Sequence, residues 1–290
     1  MNQWITRNIP ESAIIGGNNK VLYEIGPTQT INGAKAYSNL GGSPWATSNV
    51  YAHVAGINKG SNAVFPDVRS GSNKCVKLTT LIEKCKAIGI INIDVLVGGT
   101  IFLGKMFEPV TSTSNPYSKM EMGVPFTNRP KALRFDYKLS MPKENTRIYS
   151  SGFGKKKTIN GHDNAEVMVL LQRRWEDSKG NLYAKRVGTG RERFGTSTNG
   201  WVNNHELKIH YGDITGNPVY KSYMGLIPES RSYYARNSKG KMVPVKEVGW
   251  DSADATPTHI ILMASSASGE AYIGTPGLTL WIDNIGALYD

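Results

Sequence analysis

Three carboxylates beside strand-like runs are the first candidates for chemistry in this chain. Asp136 lies in Gly123–Pro142, Glu166 in Ala165–Trp175 and Glu206 in Trp201–Tyr211, with Asp163 close by. A glycosidase needs two carboxyl groups about 5 to 10 Å apart across a groove, one to protonate the leaving oxygen and one to attack or to activate water. Asp136, Glu166 and Glu206 are the catalytic candidates on that ground, although their spacing singles out no pair. Carboxylates that face solvent singly would instead be ordinary surface groups. Sugar recognition asks for aromatic platforms with charged or amide neighbours. Trp201, Tyr233, Tyr234 and Trp250, with Trp45, offer the platforms. Arg134 and Lys138 offer the polar contacts, and Gln172 and Arg174 would join them if their strands are adjacent. A lyase would use a Tyr or His base beside a cation, for which His210 or Tyr137 with Arg134 would serve.

The elements that must position these groups are strands. In Gly123–Pro142, Leu133, Phe135, Tyr137 and Leu139 alternate with Arg134, Asp136 and Lys138, and Pro130 and Pro142 bracket the run. A strand repeats every two residues, so this stretch has an apolar face and a charged one. Cys75–Leu81, Ile88–Val97, Thr100–Lys105, Ala165–Trp175, Leu182–Val187, Thr258–Ser266 and Leu278–Tyr289 read as further strands. Val21–Ile25 reads as a first strand, Glu83–Lys86 as a turn, and Gly98-Gly99 as the corner of a hairpin. Tyr-rich Pro218–Pro244 reads as a long, elaborated loop. The Gly-x-Gly of Gly188–Arg193 lacks a helix context and reads as a loop.

Many strands separated by Gly turns, without βα alternation, predict an all-β jelly-roll β-sandwich with long loops. No repeat or linker divides the 290 residues, so a single domain over 1–290 is expected. Walker, GxSxG, HExxH and dinucleotide signatures are absent. The two cysteines, Cys75 and Cys85, leave a disulfide and a pair of buried thiols both open. The net charge is +11, with 17 Lys or Arg against 9 Asp or Glu in 151–250 and no Lys or Arg in 251–290. A basic middle suits an anionic partner; nucleic acid would also need one aromatic-laced basic patch, and the expected partner is a saccharide. Asn92, Asp94 and Gly98-Gly99 interrupt the most apolar stretch, so no spanning segment is predicted.

Several short segments occur in a fixed order. They include Gly104-Lys105-Met106-Phe107, Gly123-Val124-Pro125-Phe126, Arg129-Pro130, Phe135-Asp136-Tyr137-Lys138, Ala264-Ser265-Ser266, Tyr272-Ile273-Gly274 and Leu280-Trp281-Ile282-Asp283-Asn284-Ile285. Together they resemble the putative carbohydrate metabolism domain (PCMD) family from about Trp45 onward. The resemblance implies a jelly roll like those of carbohydrate-binding modules and some glycan-cleaving enzymes. It further implies an exported protein, periplasmic or at the outer-membrane surface, that serves polysaccharide utilisation; a monomer is expected. The immunoglobulin-like domain that precedes some members has no room here. Leu139 and Leu278 depart from residues usual in the family. Jelly-roll carbohydrate modules often hold a structural calcium through a carboxylate of the final strand, and Asp283 is similar to that pattern. Calcium takes several oxygens at once, so one Asp is an incomplete set. The expectation is a glycan-binding or glycan-processing domain, with glycoside hydrolase or polysaccharide lyase activity as one alternative and surface adhesion or assembly as another.

Overall fold

A computed structural model describes residues 1–39, 42–87, 91–152 and 154–290. Trp4–Pro10 (β1), Asn19–Ile25 (β2) and Gln29–Asn32 (β3) form a small sheet with β1 at its centre. Trp45–Thr47 (β4), Val50–Val54 (β5), Ile57–Ser61 (β6), Val64–Ser70 (β7), Asn73–Ala87 (β8), Ile91–Gly98 (β9) and Thr100–Met106 (β10) follow. Next come Met120–Met122 (β11), Val124–Pro125 (β12), Ala132–Ser140 (β13) and the short pieces Ile148–Tyr149 (β14), Ser151–Gly152 (β15) and Lys157–Thr158 (β16). Ala165–Glu176 (β17), Leu182–Phe194 (β18), Val202–Lys208 (β19) and His210–Tyr211 (β20) make up the central part. Tyr234–Arg236 (β21), Met242–Trp250 (β22), His259–Ser265 (β23), Ile273–Gly274 (β24) and Thr279–Leu288 (β25) complete the chain. Among the described residues the helical elements are single 3-10 turns, and no helix is long and apolar enough to cross a membrane.

The fold is the expected β-sandwich. One sheet runs β15-β9-β8-β25-β13-β19, with β7 also on β8; the other is built on β23-β17-β18-β22. Their facing sides form one core, in which Leu133, Phe135 and Leu139 of β13 meet Val167, Val169 and Leu171 of β17. The alternation read in β13 holds: its apolar residues face the core and Arg134 faces solvent. The neighbouring strands each carry one extra residue here, between Val202 and His205 of β19 and between Asp283 and Gly286 of β25. Asn204 and Asn284 from these bulges close over Asp136, so that it is buried as well. An extra residue in a ladder bends the strand and turns a side chain off the simple two-residue repeat.

The second sheet closes on itself. β23 pairs with β17 on one side and with β10 on the other, β10 pairs with β11, β11 with β21, β21 with β22, and β22 with β18. Closure removes open strand edges. Met168, Leu170, Phe102, Met122 and Ile261 pack together as a second apolar cluster, on the β17 face that turns away from the sandwich core.

Three sequence expectations are corrected here. Glu83–Lys86 is not a turn but part of the long β8, which pairs residue by residue with β9. Residues 88–90, the first part of the expected strand Ile88–Val97, lie outside the described residues. Gly98-Gly99 does not make a hairpin: β9 pairs with β8 while β10 joins the other sheet, so the Gly pair carries the chain between layers. A Cβ on Gly99 would stand 2.3 Å from the Ala63 carbonyl oxygen and 2.5 Å from the Thr79 nitrogen, which is why a glycine is required at this crossing. Finally, Gly188–Arg193 is an interior stretch of β18. Its glycines leave space for Ile209 and Leu171 to pack.

Candidate functional site

On β17, the residues opposite the core face are Glu166, Met168, Leu170 and Gln172. On β18, Arg193 stands directly across from Glu166 and Arg191 across from Met168. Strand alternation therefore puts Glu166, Arg191 and Arg193 on one face. Arg191 Nη2 donates to Glu166 Oε1 at 2.9 Å, and Arg193 Nε donates to Oε2 at 2.7 Å. Arg191 Nη1 donates to the Tyr223 carbonyl, and Arg193 Nη2 to the Ser268 carbonyl at 2.8 Å. Arg191 Nε is buried with no acceptor.

A cavity of about 380 Å³ opens over these arginines. The long segment after β20 supplies Tyr223, Arg231 and Tyr233, and Tyr117 comes from the 3-10 turn before β11. The Arg193 guanidinium lies 4.5 Å from the Tyr223 ring centre, and Tyr117 meets Tyr233 edge to face at 6.4 Å. At the rim Arg231 is 3.6 Å from Glu270. Three guanidiniums against two carboxylates leave one positive charge in excess. Burial opposes the Arg191 charge, but the Glu166 carboxylate more than restores it, and the guanidinium stays firmly protonated. Burial pushes the phenols of Tyr117 and Tyr223 up and that of Tyr233 up to about 12. At neutral pH these phenols are donors, not bases.

A buried polar network holds the loop over the cavity. Glu247 on β22 accepts from Arg186 Nε at 2.7 Å, from Gln172 Nε2 at 2.6 Å and from the Ile227 backbone N–H at 2.7 Å. Burial would raise the Glu247 carboxyl, but Arg186 and these donors hold it below its ordinary value. Ile227 lines the cavity, so this ionised carboxylate fixes the wall in place.

The sequence-chosen residues divide between two surfaces. Glu166 and Tyr233 belong to the cavity. Asp136, Lys138 and Trp201 cluster on the outer face of the seven-stranded sheet, where Arg134 is also exposed and lies opposite Glu206 in the β13–β19 register. Asp136 is saturated by Arg69 Nη2 (2.9 Å), the Asn204 N–H (2.7 Å) and Asn284 Nδ2 (2.7 Å). Glu166 makes a catalytic pair with neither Asp136 nor Glu206, because the sandwich core separates it from them. On that outer face the Arg69 guanidinium lies 3.6 Å from the Trp201 ring centre, and Lys138 Nζ lies 4.1 Å from that of Trp281.

Tyr234 points away from Tyr233 and accepts a hydrogen bond from Asn115 Nδ2. Trp250 ends β22, with the Arg186 guanidinium 5.6 Å from its ring centre. Tyr137 packs on Phe135 and Phe194 in the core while Arg134 faces solvent, so these two do not make a lyase pair. His210 is half-buried, and burial with nearby Lys208 pulls its pKa down. Asp283 is buried and accepts from the Met1 amine at 2.7 Å. Among the described residues no cluster of three His, Cys, Asp or Glu side chains surrounds it. Both cysteines are free thiols. Sequence reading passed over Arg191, Arg193, Tyr117 and Tyr223. The available signal was Arg-Glu-Arg directly after an apolar, glycine-relieved stretch, which places two arginines on one strand face.

The fold and cavity define a β-sandwich protein with a closed second sheet and an arginine- and tyrosine-lined pocket. The chain belongs to the putative carbohydrate metabolism domain family, which it matches over residues 20–219. That match starts earlier and ends earlier than the ordered motifs suggest. Two solved structures are similar, each described as a putative glycoside hydrolase. One, from Bacteroides thetaiotaomicron, is 17% identical with a TM-score of 0.46 and covers 79% of this chain and 57% of its own. The other, from Bacteroides vulgatus, is 15% identical with a TM-score of 0.46 and covers 78% of this chain and 77% of its own. This chain thus spans little more than half of the first protein. At these values the likeness decides neither fold nor activity. No curated protein matches significantly.

Proposed function

We propose that this protein binds glycans in the arginine–tyrosine cavity, and that the sugar unit held there carries a carboxylate or a sulfate. The observation that carries the reading is the convergence of Arg191, Arg193 and Arg231 on one 380 Å³ cavity with Tyr rings in its wall. Guanidiniums give an anion paired, planar donors, and tyrosine rings give a sugar its apolar contact. Membership of a carbohydrate-related family supports the ligand class. We also propose a place in polysaccharide utilisation at the cell surface or in the periplasm, a role that membership of this family supports.

Binding ranks ahead of cleavage for a chemical reason. A glycosidase acid must reach the leaving oxygen with a free carboxyl oxygen, and both oxygens of Glu166 are already taken by the guanidiniums of Arg191 and Arg193. A lyase base must lose its proton, and the phenols here are shifted the other way.

Affinity electrophoresis over neutral, uronate-bearing and sulfated polysaccharides tests the reading. Retention by the acidic glycans is expected. Arg231→Ala, at the exposed rim, should weaken it by about 10- to 100-fold, the range for a hydrogen bond to a charged group. A folded protein that no glycan retains would refute the proposal, and release of reducing ends from any of them would move the reading to catalysis.

A further inference from the structure

The three guanidiniums of the sugar pocket are not equally available to a ligand. Arg191 and Arg193 are tied to Glu166, a buried carboxylate held from both sides. Arg231 is held differently. It belongs to the 3-10 turn Glu229–Arg231 in one wall of the cavity, and Glu270 reaches it at 3.6 Å from the loop between β23 and β24, whose Ser268 and Gly269 form another wall. The two side chains are 48% and 58% exposed. Among the described residues Glu270 is the one carboxylate paired with Arg231, since the neighbouring Glu229 pairs with Lys246. Such an exposed ion pair is weak, because water screens it and two long side chains lose freedom in making it.

The backbone that carries Glu270 is fixed by contrast. The Ser268 N–H and hydroxyl donate to buried Asp163 at 3.2 and 3.3 Å, and Arg193 donates to the Ser268 carbonyl. On the other side of Glu270, the Ala271 N–H donates to the Tyr117 hydroxyl at 3.0 Å. Groups of the pocket itself therefore pin the loop before and after Glu270, and the exposed side chain is the part left to swing. Burial raises the Tyr117 phenol; Glu270 adds to the rise and Arg231 opposes it, as charges close to that ring would. A glutamate carboxylate offers Arg231 the same planar pair of acceptors as a uronate.

We propose that Glu270 is a built-in competitor for the pocket's ligand: its carboxylate holds Arg231 in the free protein, and the acidic group of the bound sugar takes its place there. The charged group of the sugar then lies at the mouth and its ring lies inward, against Tyr117, Tyr223 and Tyr233. Glu270 also sets selectivity, because a neutral sugar has nothing to exchange for the ion pair. This inference rests on the glycan reading above.

The experiment is affinity electrophoresis of the intact protein in gels containing polygalacturonate or dextran sulfate. Fully methyl-esterified polygalacturonate and dextran serve as their neutral counterparts. Dissociation constants are compared for the wild type, Glu270→Gln, Arg231→Ala and the double variant, with thermal midpoints showing each to be folded. Glu270→Gln should tighten binding of an acidic polymer about two- to fivefold, the range for releasing an exposed ion pair, and leave the neutral polymers unchanged. With Arg231→Ala already in place the same substitution should change nothing, because a competitor acts only through the group it occupies. An equal gain without Arg231 would mean general charge repulsion and overturn the proposal, as would an equal gain for the neutral polymers. Wild type and Glu270→Gln retained with equal strength would remove the competitor and leave the glycan reading standing. Retention of neither protein by either acidic polymer would bring down both.

Discussion

Both oxygens of Glu166 accept from guanidinium groups, and the side chain is almost wholly buried. Removing this carboxylate leaves Arg191 and Arg193 without their counter-charge, and breaking a buried pair on one side costs about 3–5 kcal/mol. Glu166→Ala should lower the urea midpoint accordingly, with Glu166→Gln, which keeps an acceptor, falling less. An unchanged midpoint in the alanine variant would show that Glu166 is no clamp. The phenols of the pocket stay protonated and its guanidiniums charged across the neutral range. Retention of a sulfated glycan should therefore be flat from about pH 6 to pH 9. A bell-shaped profile would instead point to a titrating acid or base at the site.

At the scale of elements, the small N-terminal sheet joins the body through ionisable groups. Arg7 of β1 is fully buried between Glu24 of β2 (2.8 Å) and Glu108 (3.0 Å), and Thr47 also donates to Glu24. One arginine shared by two carboxyls in a dry site neutralises one of them. Burial raises the Glu24 carboxyl to about 8, against the pull of Arg7 and Thr47. Its ordinary value is 4.5. Between those values the folded state keeps a proton that the unfolded chain has released, so stability falls as pH rises through that window. The thermal midpoint should drop between about pH 5 and pH 8.5, and Glu24→Gln, which cannot ionise, should flatten that drop. Parallel curves for the two proteins would remove Glu24 as the cause. A second element-level test is the fork where β10 leaves β23 for β11. Gly104 sits there at φ +149°, and a Cβ would stand 1.9 Å from the Glu121 carbonyl oxygen. Gly104→Ala must part β10 from β11, and a loss of stability of at least about 1–3 kcal/mol is expected in a denaturant titration. A neutral alanine would show that the fork is looser than drawn.

For the whole molecule, the +11 charge and the pocket's single excess charge make separable contributions. Attraction to an anionic glycan by the overall field should fade as salt rises, since screening shortens its reach to about 10 Å near 0.1 M. The contacts inside the pocket should persist, leaving a salt-resistant remainder that Arg231→Ala reduces. Period-two patterning made the sandwich legible in the sequence, because alternation in β13 and the apolar run of β17 each fix which side faces a core. Turns were less legible: Glu83–Lys86 is polar yet lies inside β8, since one face of that strand is not buried against the core. Glu166 and Tyr233 were visible as chemical types but not as neighbours. They lie far apart in the chain, and only closure of the second sheet brings the segment after β20 back over β18. The sequence by itself determined an all-β chain of the carbohydrate-related family with a basic middle, because residue types and their alternation are local properties. Only the tertiary structure decided that Arg191 and Arg193 with Tyr223 and Tyr233 form the pocket and that Asp136 and Glu206 stand beyond the core from Glu166. Convergence of that kind depends on which strands become neighbours, and on how the sheet closes.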